Sequence, residues 1–253
     1  MNARRWTATM LLFILASVQT SAVTTVEVKV SCPICGTTND FYDYASWGSY
    51  VYRYKSKYQL VFFPHTWGMS IYLCKHCHFS MFLWDWKNFP SDKSEAAKKV
   101  LQGVKVSKDF KSYTEVSSAE KLQIAEKIYQ LLGKDEQFWA FFYRILGYHL
   151  DNDNKGAEAA QARQRALELE EKMLANPAKQ GERKEILVVC GALKHFLGDD
   201  AAALKRFAEA SSLTYSSSNS DNAKGYDAYL TELIKDYRQR IKDGTVPTDY
   251  RQE

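Results

Sequence analysis

Two Cys-x-x-Cys pairs limit the folds open to this chain more than any other feature. They are Cys32-Pro33-Ile34-Cys35 and Cys74-Lys75-His76-Cys77, with 38 residues between them. Pairs of this kind place four thiolates where one metal ion can take them in a tetrahedron, the closed geometry of a structural site. The residues around each pair agree with that reading. Val26–Ser31 alternates apolar and polar side chains, the pattern of a half-buried strand, and runs straight into Cys32. Gly36 follows the first pair, where a positive φ closes a tight turn. The stretch Ser70–Leu73 is strand-like and runs into Cys74 in the same way. The expectation is a zinc site made of Cys32, Cys35, Cys74 and Cys77.

Two other chemistries are open to these cysteines. Cys74-Lys75-His76-Cys77-His78 is a literal C-x-x-C-H, the attachment motif for a c-type haem. In that reading Cys74 and Cys77 form thioethers, His78 binds the iron, and His65, Met69 or His149 offers the sixth ligand. The protein would then carry electrons. Alternatively the four thiols pair as disulfides, as happens outside the cytoplasm. A catalytic thiol exchange is disfavoured, because Gly36-Thr37-Thr38-Asn39 reads as loop and not as the helix start that activates such a thiol. The fifth cysteine, Cys190, lies in the apolar stretch ILVVCGAL and reads as a small core residue.

The address bears on this choice. Arg4 and Arg5 precede the apolar run Met10–Val18, and Thr20-Ser21-Ala22 follows it. A basic start, a short apolar core and a small-residue exit make a secretory signal peptide over residues 1–22. The expected location is exported, periplasmic or secreted. The run is too short to span a bilayer, and no later stretch reads as a membrane span.

Residues 23–90 are expected to form the metal-bound β module. Sixteen Phe, Tyr and Trp residues lie between Phe41 and Trp86. Tyr50, Tyr52 and Tyr54 alternate with Val51, Arg53 and Lys55, so a strand with one aromatic face is expected there. These rings serve as the core of a small sheet, or alternatively as a surface for sugars of the cell envelope.

From Ser91 the pattern turns helical. Helices are expected over Ala119–Leu132, Asp135–Leu150, Lys155–Ala175, Glu182–Leu197, Ala201–Leu213 and Tyr226–Ile241. Ser117 and Glu120 form a capping pattern before the first, and Gly133 ends it. The acidic stretch Asp151–Gly156 fails as a calcium loop, because Lys155 takes a ligand position and Ala162 stands where the final Glu belongs. Around Gly147 and Gly191 the small residues recur in register. Ala159 and Ala166 follow the first at 12 and 19 residues, and Ala203 and Ala210 follow the second at the same offsets. That spacing is tetratricopeptide-like, with Arg163 standing where Phe207 stands in the second copy.

The order of knuckle, knuckle, aromatic stretch and helices resembles the bacterial family known as domain of unknown function 2225. The matching pieces are VSCPICG at Val30–Gly36, YLCKHCHFSMF at Tyr72–Phe82, FWAFFYRILGYHL and LGDDAAALKRFAEA. The resemblance implies zinc binding and a helical scaffold over nearly the whole mature chain, without an assigned activity. The fold class expected is therefore α+β: a small zinc-ribbon-like β module, then a tetratricopeptide-like helical domain over 91–253. A net charge of +4 without clustered basic residues argues against nucleic acid. No phosphate-binding glycine loop, G-x-S-x-G or H-E-x-x-H motif is present, so no catalytic residue is expected. The expected partner is a protein or peptide held in the groove of the helical repeats.

Overall fold

The computed structural model describes residues 23–47, 70–217 and 223–250. The expected signal peptide at 1–22, the aromatic strand at Tyr50–Lys55, the haem-ligand candidates His65 and Met69, and most of the Ser/Asn-rich loop near 218–222 lie outside the described residues.

The architecture is α+β. Strands β1 (Val23–Ser31) and β2 (Thr38–Trp47) pair antiparallel, as do the short strands β3 (Ile71–Leu73) and β4 (Ser80–Phe82). Ser31 pairs with Thr38, and Leu73 with Ser80, so each Cys-x-x-Cys pair sits in the turn of its own hairpin. The incoming strands match expectation. The strand β2 does not, because Thr37-Thr38-Asn39 carries no apolar alternation; its pairing with β1 makes it a strand. A register shift at Thr24/Thr25 bulges the open end of that hairpin.

Eight α-helices follow among the described residues: α1 (Leu83–Trp86), α2 (Ser94–Leu101), α3 (Ser118–Tyr129), α4 (Glu136–Asn152), α5 (Gly156–Leu174), α6 (Arg183–Phe196), α7 (Asp200–Ser211) and α8 (Ala223–Lys242). Capping explains several starts. Ser117 accepts from the Glu120 N–H before α3, Asp135 from Phe138 before α4, and Asp199 from Ala202 before α7. Gly133 and Gly198 take positive φ values of 60° and 86° just past α3 and α6, as helix-ending glycines do. No helix among the described residues is long and apolar enough to cross a membrane.

Most of the rings anticipated as core are core where they are described. Phe41, Tyr72, Phe79, Phe82 and Trp86 are buried, and Phe41 packs on Tyr72 and Trp86 with centroids 4.5 and 5.2 Å apart. Tyr42 and Trp84 are exposed. Apolar packing falls into two clusters. The first joins the strands to α2, α3 and parts of α4 and α5, from Val30 to Ala162; the second runs from Ala140 through α6–α8 to Tyr250. Polar ties fasten the second hairpin to α3. Ser80 Oγ donates to the Lys121 carbonyl at 2.8 Å, the Phe82 N–H donates to the Tyr129 hydroxyl at 3.2 Å, and that hydroxyl donates to Asp85 at 2.7 Å.

Candidate metal centre

The two turns that carry the cysteines have the same backbone design. In the first, the Cys32 N–H donates to the Thr37 carbonyl and the Gly36 N–H to the Cys32 carbonyl, both at 2.9 Å. In the second, the Cys74 N–H donates to Phe79 at 2.8 Å and the His78 N–H to Cys74 at 3.1 Å. Gly36 has φ 74° and His78 has φ 60°, so both turns close through a left-handed residue. For glycine this conformation is free; for His78 it carries a steric cost.

The turns face each other and all four sulfurs converge. The Cys32 and Cys77 Sγ atoms are 3.6 Å apart, as are those of Cys35 and Cys74, and all four lie within 4.8 Å of one another. Cys32 and Cys74 are buried, while Cys35 and Cys77 are partly covered. A disulfide needs sulfurs about 2.05 Å apart, so these are free thiols. A tetrahedral ion with bonds of about 2.3 Å spaces its sulfurs by about 3.8 Å, and the observed separations fit that set. Four cysteines so placed could hold a metal ion.

The electrostatics point the same way. The Cys74 thiol is held far below its usual range, first by its hydrogen bond with Cys32 and then by that with Cys77. Cys32 is pushed up to about 12, chiefly by its bond to Cys74, and Cys77 is pushed up by its bonds to Cys32 and Cys74. Among these three, Cys74 is thus favoured as a thiolate stabilised by its neighbouring thiols. Ionising Cys32 and Cys77 beside it calls for a cation among the sulfurs.

Asn39 connects the two turns and was not anticipated from the sequence. It is buried; its Nδ2 donates to the Thr37 carbonyl at 2.9 Å and lies 3.7 Å from the Cys74 sulfur, while its Oδ1 accepts from the Lys75 N–H at 2.9 Å. An amide that donates to one turn and accepts from the other fixes their relative position. Trp86 adds a further tie, donating from Nε1 to the Ser31 carbonyl at 3.0 Å, one residue before Cys32.

The other candidates lie apart from the cluster. His76 is exposed in its turn. His78 sets its ring 6.0 Å from that of Phe110. His149 is buried on α4 beside the Tyr148 ring, and Cys190 is fully buried on α6. His195 is buried too, between Asp200 at 2.6 Å and the Tyr250 hydroxyl at 3.4 Å, a packing role and not a surface one. Asp151 does not belong to a calcium loop; its carboxylate meets Arg163 at 3.1 Å in the interior.

No curated protein matches this sequence, and no solved structure matches it. A family model described as an uncharacterized protein conserved in bacteria (DUF2225) matches residues 25–241, which include all four clustered cysteines and all eight helices but for the last residue of α8. The paired knuckles and the helices behind them therefore make this chain a member of the DUF2225 family.

Proposed function

We propose that Cys32, Cys35, Cys74 and Cys77 hold one zinc ion as a structural clamp, in an exported scaffold that binds a protein or peptide partner. The convergence of four sulfurs from two matching turns carries this reading. A complete set of four thiolates leaves no position for water or substrate, so the ion would supply stability and no catalysis. A haem on Cys74, Cys77 and His78 would withdraw two of the sulfurs from the cluster and leave Cys32 and Cys35 unexplained.

The helices support the scaffold half. Packed pairs at α4/α5 and α6/α7 keep the tetratricopeptide-like spacing of small residues. Between α4, α5 and α6 lies a cavity of about 320 Å³, lined by Phe138, Phe141, Arg144, Glu170, Glu185 and Ile186 among others. It offers rings and charges together, as a peptide side chain requires. Export rests on the leader pattern of residues 1–22 and would place the mature chain in the periplasm or outside the cell.

Metal content and visible absorbance, measured on protein purified from the exported fraction, test the reading. About one zinc per chain and no haem absorption is the expected result. A covalent haem band without zinc would replace it with the electron-transfer reading. Recovery of the full-length precursor from the cytoplasm alone would remove the export half.

A further inference from the structure

A second cleft lies on the seam between the first hairpin and α3, and its chemistry differs from that of the cysteines. It has a volume of about 430 Å³ and is lined by Thr25, Tyr42, Tyr113, Thr114, Val116, Ser117, Ser118 and Lys121. Lys121 is the unusual member, because this lysine is only 4% exposed. Its ammonium donates to the Tyr113 carbonyl at 3.4 Å and stands 5.0 Å above the Tyr113 ring. No carboxylate among the described residues forms an ion pair with it. A long bond to one carbonyl and one ring face is slight compensation for an ammonium taken out of water, which has three protons to place.

The position on the helix sharpens the imbalance. Lys121 is the fourth residue of α3, and Ser117 and Ser118, the cap and first residue of that helix, line the same cleft. The helix start carries partial positive charge, so a lysine in this turn adds to it and does not offset it. Anions belong at such a place. Across the cleft, Tyr42 is 48% exposed, and Tyr113 and Val116 supply buried apolar surface. Thr25 and Thr114 complete the lining. Tyr113 is itself held in place, its hydroxyl accepting from the Tyr42 N–H at 3.2 Å.

We infer that this cleft binds a small organic carboxylate, whose anionic head meets Lys121 and the start of α3 while its apolar body lies against Tyr42, Tyr113 and Val116. The head supplies the counter-charge that the fold withholds. Inorganic phosphate has the head without the body and is bound more weakly. The site does not depend on the identity of the metal, since none of its residues is a cysteine.

Benzoate and inorganic phosphate are suitable probes for the full-length protein as purified. Titration of lysine-15Nζ-labelled protein should show benzoate shifting the Lys121 resonance and raising its protonation midpoint, with phosphate acting only at higher concentration. Lys121→Met keeps the buried stem and removes the charge. It should weaken benzoate binding by roughly tenfold or more, the scale of a hydrogen bond to a charged group, while metal content stays unchanged. Equal benzoate binding by the variant and the parent, or a Lys121 resonance that benzoate does not move, overturns the assignment. Phosphate binding as tight as benzoate overturns the organic part of it. Should the variant fail to fold, the 15N titration of the parent protein decides alone.

Discussion

Around the cysteines, four sulfurs within 4.8 Å of one another draw two hairpins together. Around Gly191, the absence of a side chain does the same for two helices. A Cβ at Gly191 would stand 2.6 Å from Phe207 Cε1, so α6 and α7 meet with ring against backbone. At the matching place in the preceding pair, a Cβ on Gly147 would stand 3.0 Å from Arg163 Cγ. There the α4/α5 contact holds a charged side chain, bridged to Asp151 at 3.1 Å and lying 5.1 Å over the Phe196 ring of the next pair. One region thus concentrates its cohesion in a single point, and the other spreads it over many contacts of graded strength. The first should fail all at once and the second by degrees.

Removing the proposed metal is the largest test of that contrast. A thiolate site of this type supplies on the order of 10 kcal/mol of folding free energy, more than the margin of most domains. Cys74→Ser or strong chelation should abolish the near-ultraviolet signal of the Phe41–Tyr72–Trp86 cluster while most far-ultraviolet helix signal from α6–α8 survives. Loss of both in one transition would show that the regions do not fold separately. Next in size is Arg163→Met, which leaves Asp151 buried without its guanidinium and should cost about 3–5 kcal/mol in denaturant unfolding. Adding Asp151→Leu should restore most of that loss; a double variant as unstable as the single one would contradict the pairing.

The two glycines follow. Gly191→Ala should cost about 1–3 kcal/mol, because the Phe207 ring is fully buried and has nowhere to go. Gly147→Ala should cost less, since its closest approach is to the Arg163 side chain at 3.0 Å and alanine favours helix by about 1 kcal/mol over glycine. Equal losses at the two positions would erase the difference between the pairs. The smallest effect concerns Glu185, whose carboxyl is pushed up to about 7 chiefly by burial. A raised pKa means that the folded state keeps its proton longer than the unfolded state. Its contribution is complete below the usual carboxyl range near 4.5 and is lost as pH rises through about 7. Glu185→Gln should therefore flatten the fall in stability between those limits, and a curve identical to the parent's would refute the assignment.

Much of this was legible in the residues. The helices over α3–α8 follow from capping serines and aspartates, apolar periodicity and terminating glycines, all local signals. The four sulfurs follow from spacing, because Cys-x-x-Cys has few uses in a strand turn. The returning strands β2 and β4 were not legible: Thr38-Asn39-Asp40 has no periodicity of its own and becomes strand only by pairing with β1. Asn39 was hidden for a related reason. Its partners Cys74 and Lys75 lie 35 and 36 residues away, and nothing near Asn39 in sequence announces them. The burial of Lys121 was equally silent, since SAEKLQIAEK reads as an amphipathic helix with its lysines in water.

Past α8, the turn Pro247–Tyr250 folds back so that Tyr250 is fully buried, its ring 5.4 Å from Phe196 and its hydroxyl at His195. This turn lies beyond residues 25–241, which the family model matches. Helices that stack in pairs can in principle keep stacking, and an uncovered last pair is an adhesive face for another molecule's first. Tyr250 takes part of such a surface out of play: closed over Phe196 and His195, it leaves that apolar end of α6 facing its own chain and not another molecule.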